Sequence, residues 1–165
     1  MIITKLLLLV LLKQGQMAHN VTHLDTEQLD CLALNVYHEA RGESLIGQAG
    51  VAHVTLNRVK DERYSSTICK VVKKRENKKP MNDRFRCQFS WFCDGKSDRT
   101  PEKDAYKVGY AVSALAILGM VPDVTNGATH YYNYTLSTPR WGQLYTHTAT
   151  LGQHRYVRRE IGSKL

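Results

Sequence analysis

No stretch of this 165-residue chain is apolar for long enough to cross a bilayer. The run Leu6 to Leu12 stops well short of the roughly 18 residues that a spanning helix needs. It follows Met1 and a lone Lys5 and gives way to polar sequence at Lys13, which is the outline of a short secretory signal. Gln16-Met17-Ala18 is a poor cleavage site, so an uncleaved tether with N-terminal membrane association and an internal start at Met17 stand as alternatives. We therefore set residues 1–22 apart as leader and linker and treat 23–165 as one domain, a length that suffices for a core and a cleft.

Other absences narrow the chemistry. There is no CxxC knuckle, no HExxH or HxxE pair and no phosphate-cradling glycine motif, so neither a metal nor another cofactor is expected. Internal repeats and polar low-complexity tracts are missing too, which excludes a solenoid and a disordered chain. Cysteine is sparse: Cys31, Cys69, Cys87 and Cys93 form an even set with three pairings open, and disulfides fit an exported chain better than zinc does.

Acid is in deficit as well. Fifteen Asp and Glu face 23 Lys and Arg, giving a formal net charge of +8 and attraction to polyanions. Much of the excess lies in "KVVKKRENKKPMNDRFR" (Lys70 to Arg86), which has no apolar periodicity and is interrupted by Pro80. Such a run is ordinarily a solvated loop. Charge and loop composition would suit a nucleic-acid binder, but no motif supports one, and no nucleic-acid partner is expected.

What is present is first of all a helix. Over residues 25 to 41, Leu29, Leu32, Ala33, Val36, Tyr37 and Ala40 recur at i, i+3, i+4 and i+7, with Asp25 and Gln28 as a capping box and Gly42 placed to end the helix in a left-handed conformation. Ser44 opens a second helix whose apolar face comprises Leu45, Ala49, Ala52, Leu56 and Val59, while Gly47 and Gly50 admit a close neighbour. The two meet at a corner, Arg41-Gly42-Glu43. A third helix, capped by Thr100 with Pro101 in its first turn, runs to Gly119 and reads as the central core helix. Beyond Pro122, Thr, Tyr and His alternate between Gly and Pro, which predicts short strands or extended loops, and "CQFSWFCDG" reads similarly. The fold class is α+β: a mostly helical single domain with a small irregular β element.

The sequence "YHEARGE" at the end of the first helix concentrates titratable groups. On a helical wheel Glu39 falls about 90° from the centre of the apolar stripe, at the rim of the buried face. A carboxylic acid half-desolvated there resists ionisation, as a general acid working near neutral pH must. An ordinary helix-edge glutamate paired to a cation would occupy the same spot. Glu43 reads as a structural group that caps the second helix or accepts from the first, Arg41 as its counter-ion or an anion binder, and Tyr37 as core. His53 reads as a packed or surface histidine rather than a metal ligand. In an alternating strand His130, Tyr132 and Tyr134 share one face, with Tyr131 and Asn133 on the other, and such aromatic faces suit sugar rings or sheet packing equally.

Four segments together resemble the SleB/CwlJ family of cell-wall hydrolases: "LALNVYHEARGESLIGQAGVAHVTLNRV", "CQFSWFCDG", "GATHYYN" with "PRW" downstream, and "GQHRYV". They span most of the chain from Leu32 to Arg158. The resemblance implies a lysozyme-like fold that cleaves peptidoglycan glycan strands at the bond between N-acetylmuramic acid and N-acetylglucosamine, most simply as a lytic transglycosylase in an exported or envelope location. It implies Glu39 as the catalytic acid, and it places His130, Tyr132, Asn133, Trp141 and His154 around the glycan. A two-carboxylate muramidase would need Glu43 or Asp94 as partner. The run 73–86 looks longer than the connection usual in the family, and its charge offers a hold on anionic envelope polymers. A non-catalytic envelope-binding protein is the rival reading.

Overall fold

The computed structural model describes residues 24–75 and 87–160. The expected leader and most of the basic run lie outside them. In chain order the elements are α1 (Thr26–Ala40), α2 (Leu45–Lys60), α3 (Ile68–Val72), a 3-10 turn (Ser90–Cys93), α4 (Lys103–Ile117), β1 (His130–Asn133), α5 (Arg140–Leu144), β2 (Thr146–Leu151) and β3 (His154–Arg158). This is the α+β arrangement expected: packed helices with one small antiparallel sheet.

The start of α1 follows its sequence, because the Asp25 carboxylate accepts from the backbone N–H groups of Glu27 and Gln28, satisfying two of the donors a helix start leaves open. The capping box does not close. Gln28 instead points across to α3, where its Oε1 accepts from the Cys69 N–H at 3.0 Å. The same junction carries the Cys31–Cys69 disulfide, and the second pair is Cys87–Cys93.

The exit from α1 also departs from expectation. Gly42 is not among the residues with positive φ, and Arg41 remains in helical conformation. The chain turns through a tight bond from Glu43 N–H to the Ala40 carbonyl at 2.9 Å, and Ser44 then caps α2. With a second helix starting this soon, a left-handed cap would send the chain the wrong way.

The core is built around α2 rather than the third long helix. Every residue from Gly47 to Thr55 is buried, whereas α4 buries only Gly109, Val112, Ser113 and Ala116 along one stripe. Several of its apolar residues, Val108 and Leu115 among them, face outward. Leu45, expected on the apolar face of α2, is 64% exposed because the first turn projects beyond the packed region. Thr100 does not cap α4; Glu102 holds that position without a side-chain bond. "CQFSWFCDG" is a 3-10 turn, not a strand, and it inserts Phe89 and Trp91 into the cluster made by Leu32, Val36, Val51 and Val72. Trp91 Nε1 donates to Asn35 Oδ1 at 2.9 Å, and Asn35 Nδ2 donates to Thr55 Oγ1 at 3.1 Å, so the side chains of these three buried residues satisfy one another.

The sheet order is β1-β3-β2, both pairs antiparallel. Tyr131 lies opposite Tyr156, and both rings turn toward the helices. Tyr156 is fully buried and donates its hydroxyl to the Gly47 carbonyl at 3.3 Å. A side chain at Gly50 would collide with the Tyr156 hydroxyl, which explains the small residue on that turn of α2. The sheet is thereby fixed against α2, and β1 lies within reach of the end of α1.

Candidate active site

Glu39 sits in the last turn of α1, half-buried, where the corner brings it beneath β1. The Tyr131 hydroxyl donates to Glu39 Oε2 at 2.7 Å, joining residues 92 apart in sequence. Burial raises the proton affinity of Glu39 above that of an ordinary carboxyl, opposed by the Tyr131 hydrogen bond and the charge of Arg58. Tyr131 itself is pushed well above the usual phenol range, chiefly by burial and then by the carboxylate beside it, so it serves as a donor throughout.

Arg58 is the cation under this pair. It is 5% exposed, its guanidinium lies 5.0 Å from the Phe89 ring centre and 5.5 Å from that of Tyr64, and its Nε donates to the Thr129 carbonyl at 2.7 Å. That bond anchors the chain two residues ahead of Tyr131. Among the described residues the buried guanidinium Nη1 has no hydrogen-bond partner. Neither Arg58 nor Tyr131 was assigned a role from the sequence. Arg58 is buried although it occupies a last-turn position typical of an exposed basic residue, and Tyr131 was put on the face away from the nominated aromatics.

The other expected residues divide by location. His154 packs its ring edge-on to Tyr131 at 5.1 Å and lies 3.9 Å, Nδ1 to Oε1, from Glu43. Burial lowers its proton affinity and Glu43 partly restores it. Glu43 does not cap α2 and is not paired with Arg41; its carboxylate fills the space left by Gly47 and Gly152. Arg41 pairs instead with Glu102 at 3.0 Å over the Tyr37 ring, and Tyr37 is core, as is His53, whose nitrogens meet the carbonyls of Ala49 and Val121. His130, Trp141 and Tyr145 form an aromatic group on the opposite face of β1 from Tyr131. Tyr132 is buried against Gly142, where no side chain would fit, and makes an edge contact with Trp141. Asn133 organises the turn after β1, accepting from Thr135 and donating to Gln153. Asp94 is exposed at the end of the 3-10 turn.

A protonated, half-buried carboxylic acid held by a phenolic donor near a buried cation can deliver a proton and stabilise the anion left behind. Among the described residues no group of three or more His, Cys, Asp or Glu side chains is placed to hold a metal ion.

Comparison with known proteins places this site in context. A family model described as Cell Wall Hydrolase matches residues 42–157, beginning three positions after Glu39. The spore cortex-lytic enzyme of Bacillus cereus is 28% identical over 132 residues, covering 79% of this chain and 44% of that protein. The spore cortex-lytic enzyme of Halalkalibacterium halodurans is 28% identical over 128 residues, 76% of this chain and 33% of that one. The chain thus spans less than half the length of these relatives. Among solved structures, the catalytic domain of Bacillus cereus SleB aligns with a TM-score of 0.62 at 27% identity, over 81% of this chain and 91% of that one. The catalytic domain of the germination-specific lytic transglycosylase SleB from Bacillus anthracis aligns with a TM-score of 0.63 at 26% identity, over 82% and 98%.

Proposed function

The chain belongs to the cell wall hydrolase family, and on that premise we propose that it cuts peptidoglycan glycan strands as a lytic transglycosylase, with Glu39 as its catalytic residue. The observation that carries the proposal is the Tyr131 hydroxyl on Glu39 Oε2, in a setting where burial raises the acid's proton affinity while the phenol supports its anion. In the first step Glu39 gives its proton to the oxygen leaving C1 of N-acetylmuramic acid, and the β-1,4 bond to N-acetylglucosamine breaks. The carboxylate, supported by Tyr131, then takes the proton of the muramoyl 6-hydroxyl as that oxygen closes on C1. The product is a 1,6-anhydro sugar, no water is consumed, and Glu39 ends as it began. One acid serves both halves, in keeping with Glu43 being engaged beside His154 and Asp94 lying in solvent. The similarity to the catalytic domain of a germination-specific lytic transglycosylase supports the same reading.

Digestion of purified sacculi followed by mass analysis of the products tests it. Anhydro-muramic ends are expected; reducing muramic ends would assign hydrolysis instead, and lysis by Glu39→Gln at the parent rate would remove Glu39 from either scheme. His154 lines the acid's side of the site, and His130, Tyr132, Asn133 and Trp141 are proposed to support the glycan from beyond β1. Two disulfides favour an oxidising location, and export to the envelope follows from the reading. The leader 1–22 is proposed as a signal or anchor, and the basic run 73–86 as a hold on anionic envelope polymers. Reversing four lysines in the run should weaken sacculus binding at low salt.

A further inference from the structure

On the far side of the Tyr64 and His130 rings from the acid lies a cleft of about 480 Å³, the size of a ligand site. Its walls include Arg63, Tyr64, Lys74, His130, Tyr145 and Arg159. It adjoins the reacting centre through two short links. His130 directly precedes Tyr131, and the Tyr64 hydroxyl lies 3.5 Å from His130 Nε2 while the Tyr64 ring sits against Arg58, the cation that also acts on Glu39.

The charge of this cleft is one-sided. Among the described residues, three cations and no carboxylate line it. Arg63 is held by Asp61 just outside, with Nε to Oδ1 at 2.9 Å, and also by the carbonyls of Arg159 and Glu160. Lys74 extends into solvent at the rim. His130 is pushed down to about 3 by burial and by the charges of Arg58, Arg159 and Arg63, with Asp61 opposing, as a positive surrounding requires. A second cleft, on the His38 side of α1, has Asp94, Asp98 and Glu102 set against Arg41, Lys96 and Arg99, so it carries no net preference for an anion.

The substrate proposed above has an anion in the matching place. The muramic acid whose C1 reacts carries, on its 3-oxygen, a lactyl-linked peptide with free carboxylates, and this branch must leave the glycan within about one sugar of Glu39. We propose that the Arg63–Lys74–Arg159 cleft is a subsite for the acidic stem peptide of the muramoyl residue being cut, so that the chain selects peptide-bearing over naked glycan. The inference rests on the peptidoglycan reading of the site, which it extends from the glycan to the peptide.

The test uses the full chain and two forms of the same glycan, both stripped of teichoic acid: uncross-linked strands with stem peptides intact, and the same strands after an amidase has removed the peptides and left one lactyl carboxylate on each muramic acid. Reversing two of the charges in Lys74→Glu/Arg159→Glu removes two exposed ion pairs with the peptide and should raise KM on peptide-bearing glycan by about 2- to 30-fold. KM on denuded glycan should stay where it was, and kcat should change little on either. Equal losses on both substrates, or no loss on the peptide-bearing one, overturn the subsite. Retention of the Glu39→Gln chain on the two forms, each immobilised on a solid support, reads the same preference without turnover. If the parent cuts neither form, the enzymatic reading fails, while retention still decides whether the cleft holds peptide. Binding that appears only when teichoic acid is left on would assign the cleft to that polymer and reject the proposal.

Discussion

Replacing Tyr131 by Phe removes one hydroxyl and leaves the ring to pack against Tyr156 and His154. The lost bond is an O–H donated to Glu39 Oε2 at 2.7 Å in a buried setting. A hydrogen bond to an ionised group contributes about 1.5–3 kcal/mol, and each 1.4 kcal/mol is a factor of ten, so ionised Glu39 should become about 10- to 100-fold harder to form. Glu39 is already displaced upward by burial, and Tyr131 is the larger of the two influences restraining it. If Glu39 must carry a proton to act, kcat/KM falls as pH rises through its ionisation, and in Tyr131→Phe that alkaline limb moves to higher pH. Turbidity loss of a sacculus suspension, followed from acid to alkaline pH for parent and variant, measures the limb. Thermal unfolding checks that the fold is kept. A limb that stays in place, or moves to lower pH with the fold intact, refutes the assignment of the phenol as the group that stabilises the carboxylate.

The raised proton affinity of Glu39 has its own consequence for stability. The unfolded chain ionises this carboxyl first, so stability is lost as pH rises from about the ordinary carboxyl value toward the folded one, and Glu39→Gln should be more stable than the parent at neutral pH by urea titration. His130 acts at the other end of the scale. Folded, it resists protonation down to about 3, whereas the unfolded imidazole takes a proton below its usual 6.5, so stability present above 6.5 is lost as pH falls toward 3. At about 1.4 kcal/mol per unit this is on the order of 4–5 kcal/mol, and His130→Asn should flatten the slope of unfolding free energy against pH across that window. Gly50→Ala should cost about 1–3 kcal/mol, because the added methyl meets the Tyr156 ring and hydroxyl, and a melting temperature equal to the parent's would show that the sheet is not seated there.

Local signals were legible where the physics is local. The apolar repeat through Leu29, Leu32 and Val36 together with the Asp25 cap specifies α1 almost to the residue, and Ser44 marks the start of α2. Glu39 at the rim of that stripe, and the core reading of Tyr37, follow from the same periodicity, whereas the burial of His53 was open between core and surface. Elsewhere two periods fit the same letters. The apolar residues of α4 suggested a central helix, yet which helix is surrounded depends on where the others pack. Gly42 had the composition of a left-handed cap, but the immediate start of α2 set the turn.

The sequence by itself determined the three long helices, the corner between the first two, and an acid positioned to be half-desolvated, since each depends on neighbours within one or two turns; the short helices Ile68–Val72 and Arg140–Leu144 were not legible in it. Only the tertiary structure decided what touches that acid. The Tyr131 hydroxyl comes from 92 residues away, and Arg58 is drawn inward by a carbonyl of the chain leading into β1 and by the rings of Phe89 and Tyr64. Chain spacing carries no record of these contacts, because they form when the sheet seats on α2, and the environment of a carboxyl is set by atoms within a few ångströms wherever they lie in the sequence.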